Sequence, residues 1–462
     1  MTKNLLLPTF SLQTDSDEVL YRQLYHRFKD AIANGSYPPG ARVPSIRTLA
    51  QQLNVSRNTV EMAYDLLVGE GYFVSNGQAG TSVARQFSRQ QVRRQPEPDN
   101  VPALPPVRPF QIGIPAQDAF PRKLWGNLRQ AHSKEHQIVA GSQGYAPLRS
   151  AIAAYLNIAR GIQCGADQVI VTTGYRQSLQ LLLTGLLEHG QSVWTEDPCY
   201  PPSQYLLAQN RIPHHPLPVD AEGIIVGAGI KQAPEARVAI VTPANQSPLG
   251  VVMSAQRKAE LLDWAVDNQR WLIEDDYDSE YCGDSRLAPT LSSLDRDGRT
   301  FYMGTFSKTL CPALRLAYVV VPCRQIARFV QLAEHILDGC PLHSQKTLAD
   351  MMQQGYYARH IKKTRPLYEA RRAMLVEVLT ARFGQRLSIS PSSRGLCLLA
   401  HLPPGVSDVE VQARAAQIGL SVGALSPRAL RHDYGQALLL GFANFTTRQD
   451  AERAVDSLAA CL

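Results

Sequence analysis

Gly304-Thr305-Phe306-Ser307-Lys308 places a lysine within three residues of two hydroxyl side chains, and Arg315 follows seven residues later. A lysine that forms an imine with an aldehyde needs neighbours that lower its pKa or hold the aldehyde close. The hydroxyls of Thr305 and Ser307, together with the Arg315 guanidinium, are groups that clamp a phosphate beside such an amine. The alternative interpretation is that Lys308 is an ordinary surface lysine.

Two other segments carry groups suited to the same chemistry. Ile273-Glu274-Asp275-Asp276-Tyr277 places acids at the end of a predicted strand, where α/β proteins hold their ligands. An acid there can keep a pyridine nitrogen protonated, which makes the ring an electron sink. Thr172-Thr173-Gly174-Tyr175-Arg176 predicts a strand, a turn and a helix start whose N–H groups can receive a phosphate. Alternatively, Asp275 and Asp276 cap a helix, and the Thr-Gly turn is an ordinary connection.

From residue 112 onward, short β-rich runs alternate with longer helical patterns. This alternation predicts an α/β fold with a mainly parallel sheet covered by helices. After about residue 345 the sequence predicts a long charged helix and then a smaller α+β segment. The predicted strands are Val169–Thr172, Ser192–Thr195, Val238–Thr242, Trp271–Glu274, Thr300–Met303 and Ala317–Val321.

Residues 1–84 predict a separate module. Apolar residues recur at helical spacing before Gly35, and Ser45 and Ser56 each precede a further amphipathic helix as an N-cap. Asn76-Gly77 then marks a hairpin turn between two short strands. Three short helices followed by a β-hairpin have the size and order of a winged helix-turn-helix.

The starts of the second and third helices carry the candidate DNA contacts. Arg57, Asn58 and Thr59 lie in the first turn of the third helix, from which side chains reach base edges in a major groove. Ser56, the cap of that helix, belongs to the same predicted surface. Near the second helix, phosphate contacts are predicted for Arg42, Ser45 and Arg47. The alternative is a module for protein contacts without a DNA role.

The composition fits a cytoplasmic protein of two or three domains. The 462-residue chain has no stretch approaching the roughly 20 apolar residues that span a bilayer. Residues 1–94 hold 11 Lys and Arg against 7 Asp and Glu, which suits a polyanionic partner. No two of the eight cysteines have the spacing of a zinc or redox site, so we expect reduced thiols and no metal. Residues 85–111, rich in Pro, Arg and Gln, predict a flexible linker with little that enters a core.

The N-terminal module resembles the GntR family of winged-helix regulators over essentially all of residues 18–83. The matching segments are Pro39-Gly40, Pro44–Ala50, Val55–Val60, Leu66-Leu67 and Gly71. The resemblance implies that Arg47, Arg57 and Thr59 face operator DNA.

Residues 112–462 resemble the fold-type-I aminotransferases, which bind pyridoxal 5'-phosphate, and the whole chain is similar to the MocR/GabR subgroup of GntR regulators. Supporting motifs are Phe120-Pro121, Leu148-Arg149, Arg160-Gly161, Glu196–Tyr200 and Thr242–Gly250. The resemblance implies a transcriptional regulator controlled by pyridoxal phosphate, or by an amine or amino acid that forms an aldimine with it. The alternatives are an active aminotransferase with an appended DNA-binding domain, and a scaffold that needs no cofactor.

The resemblance also implies a role for each matched residue. Lys308 forms the internal aldimine, and Asp275 pairs with the pyridine nitrogen, since the family spaces this acid two residues before the tyrosine Tyr277. Tyr277 and Asn245 bond the ring hydroxyl, and Tyr200 stacks on the ring. The phosphate is held by Gly174, Tyr175, Arg176, Thr305, Ser307 and Arg315.

Recognition of a carboxylate departs from the family pattern. Fold-type-I aminotransferases often carry a carboxylate-binding arginine in a late strand, and the matching stretch Leu438–Ala443 has none. Arg428 and Arg431, just upstream, are the predicted effector-binding substitutes. We expect a sensing domain rather than an enzyme, and a homodimer by analogy with sites of this fold that are built across a dimer interface.

Overall fold

The computed structural model describes two compact units, which divide between Pro105 and Pro106. The described residues are 12–13, 16, 18–77, 80–85, 106–133, 141–283, 288–391 and 395–462. Most of the predicted linker, residues 86–105, lies outside them. No helix in these ranges is long and apolar enough to cross a membrane.

The N-terminal unit has the predicted three helices and hairpin. Its elements are α1 (Leu20–Ala33), α2 (Ile46–Leu53), α3 (Arg57–Gly69), β1 (Phe73–Ser75) and β2 (Thr81–Val83). Both predicted N-caps are confirmed, because Ser45 Oγ accepts the Thr48 N–H at 3.1 Å and Ser56 Oγ accepts the Thr59 N–H at 3.0 Å. Asn54 ends α2 in the left-handed conformation, with φ 52°.

An aromatic cluster joins the helices of this unit to its hairpin. The ring of Phe28 in α1 lies 5.7, 5.6 and 5.3 Å from the rings of Tyr37, Tyr64 and Phe73, and all four are buried. Edge-to-face packing of this kind adds to the free energy gained by burying the rings. β1 pairs antiparallel with β2, which confirms the predicted hairpin.

The large unit is built on an eight-stranded sheet. Its strands are β3 (Val169–Thr172), β4 (Val193–Asp197), β5 (His214–Asp220), β6 (Gly223–Ile224), β7 (Val238–Val241), β8 (Trp271–Asp276), β9 (Thr300–Thr305) and β10 (Ala317–Val320). They lie in the order β3-β10-β9-β8-β7-β4-β5-β6. The five strands from β9 to β5 are parallel, so the mainly parallel sheet is confirmed. β10 is antiparallel to both of its neighbours, β3 and β9.

The sequence predicted six of these eight strands and missed β5 and the two-residue β6. Pro216 and Pro218 lie inside β5, and proline argues against a central strand because it has no N–H to donate. The structure accommodates them near the end of the sheet, where β5 is followed only by the two-residue β6. All four residues of β3 are buried, since the sheet is covered on both faces.

Helices cover the sheet and lead into a smaller C-terminal layer. The helices are α4 (Arg122–Ala131), α5 (Ala146–Ala159), α6 (Tyr175–Leu186), α7 (Pro201–Gln209), α8 (Val226–Gln232), α9 (Ala255–Asp267), α10 (Leu291–Leu294), α11 (Ile326–Ile336), α12 (Leu342–Gln353) and α13 (Tyr356–Phe383). The C-terminal layer holds β11 (Ser388–Ile389), β12 (Cys397–His401), α14 (Asp408–Gln417), β13 (Gly423–Ala424), β14 (Ala437–Gly441) and α15 (Arg448–Ala459). Its antiparallel sheet has the order β11-β12-β14-β13, as the predicted α+β segment requires.

The expectation that little of residues 85–111 enters a core is wrong at Phe110. This side chain is 1% exposed and belongs to the core of the C-terminal layer. Its carbonyl accepts the Gly441 N–H at 2.9 Å, and its ring lies 5.2 Å from that of Phe445. One aromatic residue in a proline-rich stretch gives no periodic signal, which is why the sequence pattern missed it.

Phe110→Ala is therefore expected to destabilise the large unit by about 3–5 kcal/mol, the range for removing a buried phenylalanine. All four tryptophans lie in this unit, so their fluorescence during urea unfolding follows it separately from the N-terminal unit. Val107→Ala is the matched control, because Val107 is 37% exposed, and it should change stability by less than about 0.5 kcal/mol. Equal urea midpoints for the two variants would contradict the assignment of Phe110 to the core.

Candidate functional site

The antiparallel strand β10 brings three separate segments to one edge of the sheet. Ala317 at its start is in register with Thr172 at the end of β3 and with Thr305 at the end of β9. The residues just beyond this row, which are Gly174, Ser307 and Arg315, therefore lie at the same edge. The segments predicted to hold a phosphate meet there.

At this edge, a cationic cup is formed by Thr305, Ser307, Arg315 and the start of α6 at Gly174. The Arg315 guanidinium lies beside Gly174, with a nitrogen 3.4 Å from where a Cβ on that glycine would be. Gly174 has φ 124°, a conformation that side chains rarely adopt, and it is the N-cap of α6. Thr305 Oγ1 accepts the Ser307 N–H at 3.1 Å. A helix N-terminus, an arginine and two hydroxyls together suit a phosphate.

The side chains of two residues predicted to hold the phosphate, Tyr175 and Arg176, make other contacts. The Arg176 side chain is exposed, and its guanidinium lies 5.8 Å from the ring centre of Tyr205. The Tyr175 hydroxyl is 2.7 Å from Ser203 Oγ, and its ring packs edge-on against Tyr200 at 5.3 Å. Both residues still contribute the first-turn N–H groups of α6, which have no partner inside the helix.

Lys308 lies in a confined space next to this cup. Its Nζ donates a hydrogen bond to the Gly113 carbonyl at 3.0 Å. A Cβ at Gly113 would lie 2.7 Å from Nζ, and Gly113 has φ +80°, so both space and backbone favour glycine. Burial lowers the pKa of the Lys308 ammonium, although Asp278, Cys397 and Asp275 oppose this shift. A larger fraction of the amine is therefore unprotonated at a given pH than on an exposed lysine.

The two neighbouring aspartates of β8 have different surroundings, as adjacent residues of a strand point to opposite faces. Asp276 accepts hydrogen bonds from Arg160 Nε at 2.9 Å and from the Tyr302 hydroxyl at 2.7 Å. The buried Asp275 carboxylate accepts no hydrogen bond from the described residues. Burial, together with Asp276 and other acids, raises the pKa of Asp275 well above its usual range. Asp275 is thus the acid left available for a cationic or N–H ligand.

Asn245 and Tyr277 lie beside a further acid, Asp278, that the sequence analysis did not select. Asn245 Nδ2 donates to Asp278 Oδ1 at 2.8 Å, while Asn245 Oδ1 is buried without a partner among the described residues. Burial raises the pKa of Asp278 to about 6. A Cβ at Gly395 would overlap the Asp278 carboxylate, which packs against this glycine. The sequence signal that could have identified Asp278 is its position directly after Tyr277 in the acidic run.

The two predicted effector arginines are separated by the structure. The half-buried Arg428 donates from Nε to the Ala424 carbonyl at 3.1 Å, and its charge acts on Tyr200 and Cys397. Arg431 is exposed, and its charge acts on His215 instead. Cys397 is also close enough to Lys308 for each to influence the other's pKa. The Arg428 carbonyl accepts the Cys199 N–H at 3.2 Å, so Arg428 lies beside the segment that carries Tyr200.

The predicted DNA-contacting residues lie mainly at two helix starts of the N-terminal unit. Arg47, Arg57 and Asn58 are exposed in the first turns of α2 and α3. Thr59 Oγ1 is 2.8 Å from the Ser56 hydroxyl, so this pair supports the cap of α3. Arg42 differs, because its backbone forms a β-bridge with Ser82 and its guanidinium lies beside Gly80, where the hairpin turn leads into β2.

Models of two protein families match the chain. The family described as bacterial regulatory proteins, gntR family, matches residues 20–83, and aminotransferase class I and II matches residues 109–429. These matches confirm both resemblances inferred from the sequence.

Individual proteins match over most of the chain. The probable rhizopine catabolism regulatory protein MocR of Rhizobium meliloti is 33% identical over 455 residues, which are 94% of this chain and 92% of MocR. The HTH-type pyridoxine biosynthesis transcriptional regulator PdxR of Corynebacterium glutamicum is 31% identical over 417 residues, 87% of each chain. The crystal structure of an archaeal alanine:glyoxylate aminotransferase has a TM-score of 0.70 at 21% identity, covering 77% of this chain and 90% of its own. At that identity the structural likeness shows the fold alone.

We expect Arg57, at the start of α3, and Arg47, at the start of α2, to contribute differently to DNA binding. Arg57→Ala should lose about 1–3 kcal/mol on the preferred operator and flatten preference at one base position, because a bidentate base contact is removed. Arg47→Ala should weaken binding to all sequences alike and reduce the salt dependence by about one phosphate contact. The measurement is affinity for an operator and its single-base variants at several salt concentrations.

Arg27→Ala is the control for this pair, because Arg27 is exposed on α1 and belongs to neither helix start. It should leave the base preference unchanged. A uniform loss of affinity for every operator variant with Arg57→Ala would mean that Arg57 contacts the DNA backbone.

Proposed function

The chain belongs to the MocR group of GntR-family transcriptional regulators, and we propose how its two domains work together. The group joins a DNA-binding domain to an aminotransferase class I and II domain. In our proposal, pyridoxal phosphate held in the large unit makes DNA binding responsive to an amine or amino acid. The observation that carries the proposal is a set of buried polar groups around one space. The Lys308 amine, the Asp275 carboxylate and Asn245 Oδ1 lie there. Among the described residues, Asn245 Oδ1 has no hydrogen-bond partner, and Asp275 interacts with Lys308 through charge rather than through a hydrogen bond.

These groups fit pyridoxal phosphate in chemical type. A buried carboxylate among other acids is stable as an anion only beside a positive group, and a protonated ring nitrogen is such a group for Asp275. The free Asn245 Oδ1 and the Tyr277 hydroxyl suit the ring hydroxyl. The cup of Thr305, Ser307, Arg315 and the α6 N-terminus suits the phosphate. When bound, pyridoxal phosphate supplies an aldehyde that condenses with primary amines.

Lys308 is the residue that we propose attaches to this aldehyde. Its pKa is lowered by burial, so the nucleophilic, unprotonated amine is present at a lower pH than on the protein surface. The Gly113 carbonyl, which is uncharged, accepts a hydrogen bond from the amine. Breaking this bond therefore leaves no charged acceptor without its partner. An incoming amine effector would compete with Lys308 for the same aldehyde.

Arg428 is our choice for the group that recognises an effector carboxylate. A guanidinium binds a carboxylate through two parallel hydrogen bonds, and Arg428 lies near Tyr200, which we expect to cover one face of the ring. Burial lowers the pKa of Arg428, which marks a partly desolvated charge where a carboxylate is bound more strongly than in water. The proposed effector is therefore an amino acid rather than a simple amine.

The proposal gives the large unit a sensing role in a cytoplasmic homodimer. A two-fold dimer would place two DNA-binding units on one operator and raise their affinity through effective concentration.

The second candidate function is an active aminotransferase, and it is favoured by the completeness of the same set of groups. Sustained product from an amino acid and a 2-oxo acid would distinguish it, whereas a single slow half-reaction fits sensing.

Lys308→Ala should remove both cofactor attachment and the response of DNA binding to effectors. Pyridoxal phosphate should give the wild type a visible absorbance band, and borohydride reduction should attach the cofactor permanently to the peptide carrying Lys308. The variant should show neither. The wild-type operator affinity should change by at least about fivefold when the effective amine or amino acid is added, a typical coupling between two sites. The affinity of the variant should stay constant.

Lys231→Ala is the control for this prediction, because Lys231 is exposed on α8, and it should behave as the wild type. A borohydride adduct on another lysine would exclude Lys308. Multiple turnovers, combined with an operator affinity that ignores the cofactor and every amine, would favour the aminotransferase.

A further inference from the structure

The fully buried Asp197 at the end of β4 holds a segment more than 230 residues further along the chain. Its Oδ1 accepts the Leu430 N–H at 2.7 Å. Its Oδ2 accepts the N–H groups of Arg431 at 2.8 Å and His432 at 2.9 Å, and lies 2.8 Å from His432 Nδ1. No part of the Asp197 side chain is exposed. One carboxylate thus satisfies three consecutive backbone donors and a ring nitrogen.

The chain that follows Asp197 holds the same segment a second time. The Cys199 N–H donates to the Arg428 carbonyl at 3.2 Å, and Gln204 Nε2 donates to the same oxygen at 3.0 Å. Tyr200 lies between these two donors in the sequence. The segment that carries Tyr200 and the segment that carries Arg428 are therefore held together by hydrogen bonds to the Arg428 carbonyl.

The Arg428 side chain depends on this attachment for its position. Its Nε donates to the Ala424 carbonyl at 3.1 Å within its own segment, and the Arg428 carbonyl accepts the N–H of Cys199, the residue before Tyr200. A shift of the backbone at 430–432 would move the guanidinium away from the place where a carboxylate has to bind. A displacement of about 1 Å is enough to lose a large part of an oriented interaction.

We propose that Asp197 is a positioning residue that sets the affinity for the carboxylate of an amino acid effector by fixing the segment that presents Arg428. The inference rests on the proposed function, in which Arg428 binds that carboxylate. Asp197→Asn keeps the size of the side chain but replaces one acceptor oxygen with an NH2 group. That group faces backbone N–H donors and leaves some of them buried without a partner.

The test compares matched probes that differ only in the carboxylate, which are L-alanine with ethylamine and glycine with methylamine. Their apparent affinities are measured from the cofactor absorbance of the protein loaded with pyridoxal phosphate. Asp197→Asn should weaken amino acid binding at least about tenfold and change amine binding by less than about twofold, the tenfold loss corresponding to 1.4 kcal/mol. A merely structural defect would weaken both members of a pair.

Asp295→Asn is the matched control. The Asp295 carboxylate also accepts four backbone N–H groups, from Asp297, Gly298, Arg299 and Thr300, in a loop that carries none of the candidate site residues. It should leave the ratio of amino acid to amine affinity unchanged. His432→Gln removes only the ring contact and should lower the amino acid affinity by a smaller factor, which keeps the test available if Asp197→Asn fails to fold.

Hydrogen exchange of the protein without cofactor gives an independent readout. Amides at 430–432 should exchange faster in Asp197→Asn than in the wild type, and Asp295→Asn should not change them. The inference is overturned if Arg428→Gln removes the preference for amino acids while Asp197→Asn and His432→Gln retain it, or if exchange at 430–432 is unchanged. An Arg428→Gln variant that retains the preference, or a wild type without one, would instead contradict the proposed carboxylate role of Arg428.

Discussion

The reversed direction of β10 in an otherwise parallel region is the constraint on which the candidate site depends. Parallel strands already bring their carboxyl ends to one edge of a sheet, where α/β proteins hold ligands. Because β10 runs the other way, its start lies at that edge too, with Ala317 aligned between Thr172 and Thr305. The turn before α6, the Ser307-Lys308 segment and Arg315 are thereby held together by main-chain hydrogen bonds rather than by their own side chains.

This backbone frame explains how polar groups with incomplete partners can remain buried. An unsatisfied buried acceptor such as Asn245 Oδ1 costs free energy, and a buried acid such as Asp275 costs more if it is ionised. Such groups persist only where surrounding structure fixes them, and perturbed pKa values cluster at functional sites for this reason. The cores packed on both faces of the sheet supply the stability that offsets their cost.

Sequence patterns predicted the parts of the fold that have a local signal. Periodicity and capping located the three helices of the N-terminal unit and six strands of the large sheet. The resemblance to the aminotransferases selected Asp275 over Asp276 by its spacing from Tyr277, and in the structure Asp276 forms an ion pair with Arg160. The remaining features depend on contacts between distant segments. Asp197 and residues 430–432 meet only in the folded chain, so no local pattern separated Arg428 from Arg431.

If an effector controls DNA binding through the large unit, DNA and effector binding must be reciprocal. An effector that changes operator affinity by some factor must have its own affinity changed by the operator by the same factor. The measurement is the effector dissociation constant, read from the cofactor absorbance, with and without a saturating operator fragment selected in vitro by the full chain. We expect a change of at least about fivefold that equals the effect of the effector on DNA affinity. Identical constants with and without DNA would contradict it.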